Sequence, residues 1–258
     1  AALRRAMAAG VTVAIATGRL HGSASIFGRR IGINGPVISS NGALVRDLAG
    51  KTWRHRPLPA SSVAAAMAAA AGQPDVYVGL FHEAGLCTLD PVKTRFKFLR
   101  WWSRHIWGAG GLSLFLQYVT AYRFGSMRSF RGLPDKIFMS SDNPASLVAA
   151  RNAVLAAVPE SLTICNSDAD NLEFTADGVT KGEAVTWLAA HYGISLSDVM
   201  VAGDSQNDLP MFELDCHRVA MGNAEPNLKE RASFVTASND EDGVAMAVER
   251  LVLGEAAV

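Results

Sequence analysis

Val199-Met-Val-Ala-Gly-Asp204-Ser-Gln-Asn207-Asp208 is an apolar run that turns without interruption into two carboxylates and an amide. A buried strand ending in carboxylates is unfavourable unless a cation or hydrogen-bond donors meet them. In open α/β sheets the carboxyl ends of the strands are where ligands bind. A divalent cation suits such a group, because Mg²⁺ is held by one or two carboxylates together with water and phosphate oxygens. A solvated Asp/Asn turn accommodates the same residues, so the stretch alone leaves both readings open.

On either side of this stretch the chain alternates strand and helix. A helix over 181–192 precedes it, and a short helix from about 208 follows. Then come a strand over 218–222, a helix around 227–232, a strand over 233–237 and a closing helix over 243–253. Near the start, a helix closed by Gly10 leads into a strand over 11–16 that stops at Thr17-Gly18-Arg19. A second apolar run, 36–40, stops at Asn41-Gly42-Ala43. Short apolar strands alternating with helices predict an α/β fold with a doubly wound parallel sheet. The middle of the chain differs. It holds an Ala-rich helix over 61–71, an aromatic and basic stretch over 93–107 and a Gly-rich break at 108–111. A strand over 136–140, a helix over 143–157 and a strand near 163–166 follow. This pattern predicts an α/β cap domain, 44–175, inserted into a core made of 1–43 and 176–258.

With 258 residues, 49% of them hydrophobic, the chain can bury a substantial core. Lys+Arg and Asp+Glu are equal at 24 each, which argues against a general binder of nucleic acid or membrane surfaces. Cys87, Cys165 and Cys216 are odd in number and lack metal-binding spacing, as expected of a reduced, cytoplasmic setting. Apolar runs fall short of the 18 or more residues of a membrane span, so a soluble protein is expected. Trp101, Trp102, His105 and Trp107 read as packing rather than as a ligand platform. The first helix lacks both an initiator Met and a capping residue, and residue 1 reads as a cut through a helix.

Thr180-Lys181-Gly182-Glu183 has the pattern of a capping box, with Thr180 as the cap and Glu183 three residues on. Lys181 then stands in the first helical turn, where the macrodipole disfavours a cation by about 0.3–1 kcal/mol. An exposed lysine tolerates that cost. Alternatively, Lys181 and the free N–H groups of the helix start jointly hold an anion, most simply a phosphate. On either reading, removing Lys181 is expected to leave the helix intact. Thr17-Gly18-Arg19 offers a hydroxyl and unobstructed N–H groups to a phosphate oxygen, and is equally compatible with a plain turn.

In order, these segments resemble the haloacid dehalogenase superfamily of phosphatases, and within it the Cof-type sugar-phosphatase branch. Ala14-Ile-Ala-Thr-Gly-Arg19, Ser40-Asn-Gly-Ala43, Leu172-Glu-Phe, Met221-Gly-Asn-Ala224 and Asp242-Gly-Val244 fall where that branch has its recurrent sequences. The resemblance implies a Mg²⁺-dependent phosphohydrolase acting on small phosphorylated metabolites, either sugar phosphates or phosphorylated cofactors. It implies that Thr17 and Gly18 receive the phosphoryl group, that Lys181 neutralises its charge and that Asn207 touches it. Asp204 would coordinate Mg²⁺, Asp208 would support the metal and the lysine, and Asn41 and Arg19 would face the substrate. The family's first motif, a strand ending in Asp-x-Asp, is expected upstream of residue 1. It supplies a nucleophile that passes through an aspartyl-phosphate, so the 258 residues alone are expected to be inactive. Asp168-Ala-Asp170 and Asp240-Glu-Asp-Gly243 follow polar residues or open a helix and are rejected as substitutes. An inactive phosphate-binding protein and a sugar phosphomutase are the competing functions.

Overall fold

The structure, a computed structural model, describes residues 1–83, 85–88, 124–126, 132–158, 162–166 and 170–255. The stretch 93–107 with its aromatic residues, the break at 108–111 and Asp168 lie outside the described residues.

Helix α1 (Ala2–Ala8) ends as its sequence predicts. Gly10 adopts φ 91°, and the Val11 N–H reaches back to the Ala6 carbonyl at 3.0 Å, the bond with which a left-handed glycine closes a helix. The chain continues through β1 (Ile15–Ala16), α2 (His21–Ile31) and β2 (Val37–Ser39). Periodicity missed α2 because Ser23, Ser25 and Gly28 share its buried face with Ala24 and Ile26. The two serine hydroxyls return bonds to the Leu20 and His21 carbonyls. β1 and β2 pair in parallel, and a hairpin of β3 (Leu44–Arg46) and β4 (Thr52–His55) extends the sheet in the order β1-β2-β3-β4.

A second sheet follows. Helix α3 (Ala60–Ala71) leads to β5 (Tyr77–His82), β6 (Gly85–Thr88), β7 (Phe124–Ser126) and β8 (Lys136–Ser140). Helix α4 (Pro144–Ala157), β9 (Leu162–Cys165) and β10 (Asn171–Ala176) complete it, in the order β7-β6-β5-β8-β10-β9. One face of this sheet presents Val78, Leu80, Ile137, Met139 and Phe174 to the apolar sides of α3 and α4. Strand side chains alternate faces, so Lys136 and Glu173 point the other way. Both are nonetheless buried, at 1% and 3% exposure.

The chain then forms α5 (Lys181–Tyr192), β11 (Met200–Gly203), α6 (Leu209–Phe212) and β12 (His217–Ala220). It closes with α7 (Pro226–Arg231), β13 (Phe234–Val235) and α8 (Gly243–Leu251). β11, β12 and β13 pair in parallel. The strand–helix alternation is thus that of a parallel α/β core carrying an α/β cap. β1 and β11 belong to separate sheets, yet Val11 and Met200 pack against the same cluster of Ala2, Ala6 and Val248, and Ala16 packs against the cluster that contains Val201. Thr12 and Ala14 beside this junction are exposed. Just ahead of β2, the Asn34 amide extends the pairing of the first strand, accepting from the Val13 N–H and donating to the Val11 carbonyl.

Candidate active site

Thr17, Asn41 and Asp204 each follow the carboxyl end of a parallel strand, β1, β2 and β11 respectively. This is the edge at which open α/β sheets bind ligands. The turn after β2 is tight: Ser40 and Asn41 take φ 50° and 58°, and Gly42 takes φ 107°. A side chain on Gly42 would lie 2.3 Å from the Thr180 carbonyl oxygen, so the close approach of this turn to the start of α5 requires glycine.

At the start of α5, the Thr180 hydroxyl accepts from the Glu183 N–H at 3.1 Å, forming one half of the predicted capping box. The other half is replaced. Both oxygens of Glu183 meet the guanidinium of Arg54, at 2.9 and 2.5 Å. Lys181 is 5% exposed. Its Nζ donates to Asn207 Oδ1 at 2.8 Å and to Asp208 Oδ1 at 2.6 Å. The second oxygen of Asp208 accepts from the N–H groups of Asp204 and Ser205, at 2.9 and 3.2 Å. Asp208 therefore faces inward, committed on both oxygens to the lysine and to the turn that carries Asp204. A Cβ on Gly203 would fall 2.7 Å from that carboxylate, which explains the glycine that ends β11.

Asp204 is half-buried. Its Oδ1 accepts from the Ser205 hydroxyl at 3.3 Å and its Oδ2 from the Asn223 amide at 3.0 Å. A carboxylate partly open to solvent and flanked by neutral donors suits a hard cation such as Mg²⁺, which needs only one or two carboxylates. Among the described residues, no group of three or more His, Cys, Asp and Glu side chains forms a metal site.

Asn41 joins the remaining residues. Its Oδ1 lies 3.4 Å from Asn207 Nδ2, and its own Nδ2 donates to Glu173 Oε2 at 2.5 Å and to Cys165 Sγ at 2.9 Å. Burial and the neighbouring Glu173 push the Cys165 thiol up to about 12, so it stands here as a neutral wall group. Thr17 accepts at its hydroxyl from the Arg19 N–H at 3.2 Å, which leaves the hydroxyl proton for a ligand. Gly18 packs so closely that a Cβ would lie 2.7 Å from Asn41 Oδ1 and 3.2 Å from Asn207 Nδ2. The Arg19 side chain is exposed and lies over the Phe27 ring of α2, 5.4 Å from its centroid. A cleft of about 390 Å³ opens on Asn41, Lys181, Gln206 and Asn207, with residues 163–166 at and beyond β9 forming its far wall.

Two described members of the Asp-x-Asp look-alikes lie in turns. Asp170 is exposed in the turn into β10, and Asp240 is exposed in the turn before α8, where Glu241 caps Ser238. Sequence pattern assigns no role to Lys136, Glu173, Ser205 or Asn223. The signal for the first two is a lone charge in an otherwise apolar strand, Lys136-Ile-Phe-Met and Leu172-Glu-Phe.

A buried lysine, carboxylates, amides and a hydroxyl thus gather near the ends of β1, β2 and β11, the residue types that phosphoryl transfer employs. Residues 1–248 match the model of the haloacid dehalogenase-like hydrolases, and the chain belongs to that family. It is 53% identical over 75 residues to a 5-amino-6-(5-phospho-D-ribitylamino)uracil phosphatase of Bacillus subtilis, a match covering 29% of this chain and 26% of that protein. A second Bacillus subtilis relative, the phosphatase YwpJ, is 27% identical over 267 residues, covering 97% of this chain and 91% of the relative. The solved structure of a subclass IIB sugar phosphatase shares the fold, with a TM-score of 0.74 at 24% identity over 96% of this chain and 88% of that one. The arrangement of core and cap is that of the Cof-type branch.

Proposed function

We propose that this protein is a Mg²⁺-dependent phosphohydrolase of small phosphorylated metabolites, sugar phosphates or phosphorylated cofactors. The observation that carries the reading is Lys181, a cation buried at 5% exposure between Asn207 and Asp208 and lining a cleft sized for a small molecule. The relatives named as phosphatases support it.

On this reading the phosphoryl group rests between Thr17, Gly18, Asn207 and Lys181. The Thr17 hydroxyl donates to one oxygen, and Lys181 neutralises the charge that develops as the ester bond breaks. Asp208 keeps Lys181 oriented and, through the N–H groups of Asp204 and Ser205, holds the turn that presents Asp204. Asp204 would hold Mg²⁺, which when bound would supply charge neutralisation at the phosphate oxygens. The reading calls for an attacking carboxylate, which would form an aspartyl-phosphate that water hydrolyses. Residues 44–175 act as the cap and 1–43 with 176–258 as the core, with the β3–β4 hairpin hydrogen-bonded to the core sheet. The free thiols of Cys87, Cys165 and Cys216 fit a reducing, cytoplasmic compartment.

The test is orthophosphate release by the full-length protein from p-nitrophenyl phosphate and a panel of sugar phosphates and phosphorylated cofactors, with Mg²⁺ or with EDTA. Release that depends on Mg²⁺ is the expected result. Tight phosphate binding without turnover would instead favour the inactive, phosphate-binding alternative.

A further inference from the structure

We propose that Lys136 and Glu173, carried on the cap sheet, are positioning residues that set the Thr17 hydroxyl and the Asn41 amide for phosphate; the inference rests on the phosphohydrolase reading above. Lys136 Nζ donates to the Gly18 carbonyl at 2.7 Å and lies 2.8 Å from Glu173 Oε1. Glu173 Oε2 in turn accepts from Asn41 Nδ2 at 2.5 Å. The pair thus reaches out of β8 and β10 to grip two core residues at the ends of β1 and β2.

The grip on Gly18 has a direct geometric consequence. In a trans peptide the C=O and the following N–H point in opposite directions, and cis peptide bonds are absent among the described residues. Fixing the Gly18 carbonyl against Lys136 therefore aims the Arg19 N–H, which donates to Thr17 Oγ1 at 3.2 Å. With its oxygen acting as acceptor, the Thr17 hydroxyl turns its own proton outward as a donor. A Gly18–Arg19 peptide rotated away from Lys136 would release the hydroxyl to point elsewhere.

The grip on Asn41 acts on the other side of the site. A side-chain amide can face either way, and its partners decide which end goes where. Glu173 accepts only, so it takes the Nδ2 end of Asn41 and turns Oδ1 toward Asn207 Nδ2, 3.4 Å away. That choice leaves Asn207 Oδ1 for Lys181 Nζ at 2.8 Å. One hydrogen-bonded chain therefore runs from the cap pair to the buried lysine.

Stability alone does not call for this pair. Buried ion pairs are often replaceable by apolar residues of similar size with no loss of stability. The surroundings here would accept such residues, since the Phe81 ring lies 4.2 Å from Lys136 Nζ. What apolar side chains could not do is hold the Gly18 carbonyl and the Asn41 amide.

The experiment uses the full-length protein with Mg²⁺ and p-nitrophenyl phosphate. The paired variant Lys136→Met/Glu173→Met removes both charges while keeping their volume. It is expected to stay folded and to melt no more than several degrees below wild type, the cost of leaving the Gly18 carbonyl and the Asn41 amide without these partners, with kcat lowered about tenfold or more and KM little changed. In a Thr17→Val background the same pair of substitutions should cost less than it does in the wild type, because one of the two groups they act through is gone and only the Asn41 arm remains. A folded paired variant with wild-type kcat overturns the inference. So do losses that multiply in full with Thr17→Val, and so does a paired variant that fails to fold, which would make the pair structural. Absence of phosphate release by the wild type would sink the phosphohydrolase reading itself, and the inference with it.

Discussion

Lys181→Met tests the buried lysine most directly. At a helix start a lysine costs about 0.3–1 kcal/mol, so helix physics alone predicts that its removal is neutral or mildly stabilising. The tertiary structure reverses the sign. Lys181 and Asp208 are each 5% exposed and lie 2.6 Å apart. Removing the cation leaves a buried carboxylate with two backbone donors and no counter-charge, and breaking such a pair costs about 3–5 kcal/mol. The larger effect wins by several fold. At roughly 2–4 °C per kcal/mol for a chain of this size, the melting temperature should fall by roughly 6–20 °C. The second variant Lys181→Met/Asp208→Asn removes the stranded charge while keeping an oxygen for the Asp204 and Ser205 N–H groups. It should recover at least half of that loss without recovering phosphatase activity. Calorimetric melting of the wild type and both variants, alongside phosphate release, provides the assay. A single variant that melts within about 3 °C of wild type, or a double variant no more stable than the single, would refute the reasoning.

Asp204→Asn should stay within about 0.5 kcal/mol of wild-type stability, since the site is partly exposed and the shapes match, while Mg²⁺ affinity by titration calorimetry drops at least tenfold; unchanged affinity would remove Asp204 from the metal site. Gly182→Ala should destabilise by about 3 kcal/mol or more in urea unfolding, because its Cβ would lie 2.1 Å from the Pro210 carbonyl oxygen; a variant as stable as wild type would show that α5 and α6 are not in contact there. His55 Nε2 lies 2.6 Å from Asp135 Oδ1, and this bond holds the imidazole pKa above its usual 6.5. With the folded value above the unfolded one, the stabilisation is complete below about pH 6.5 and is lost as pH rises through the raised value. Between about pH 6 and pH 9 the wild type should therefore lose more stability than His55→Gln, and equal losses in urea unfolding would contradict the assignment.

Much of the architecture was legible from local pattern. The helix over 181–192, the strand over 136–140 and the termination at Gly10 coincide with the structure, because caps, glycines and apolar runs act over a few residues. Where pattern failed, the cause was local in one case and long-range in the other. Helix α2 buries serines that bond to their own backbone, so no apolar stripe announced it. Glu183 sits at a capping-box position, but its carboxylate finds the Arg54 guanidinium 129 residues away in sequence a better partner than the cap.

The sequence by itself determined the order of the elements and the chemistry available at their ends: Thr17 and Gly18 after one strand, Asn41 after another, Lys181 at a helix start, and Asp204, Asn207 and Asp208 in one turn. These follow from short-range periodicity and residue type. Only the tertiary structure decided that Lys181 is buried against Asp208, that Asp208 turns inward while Asp204 stays partly open, and that Arg19 lies on Phe27. It alone brought Lys136 and Glu173 of the cap to Gly18 and Asn41. Charge pairing and amide orientation depend on which groups share a low-dielectric space, and that is set by contacts between residues more than a hundred positions apart.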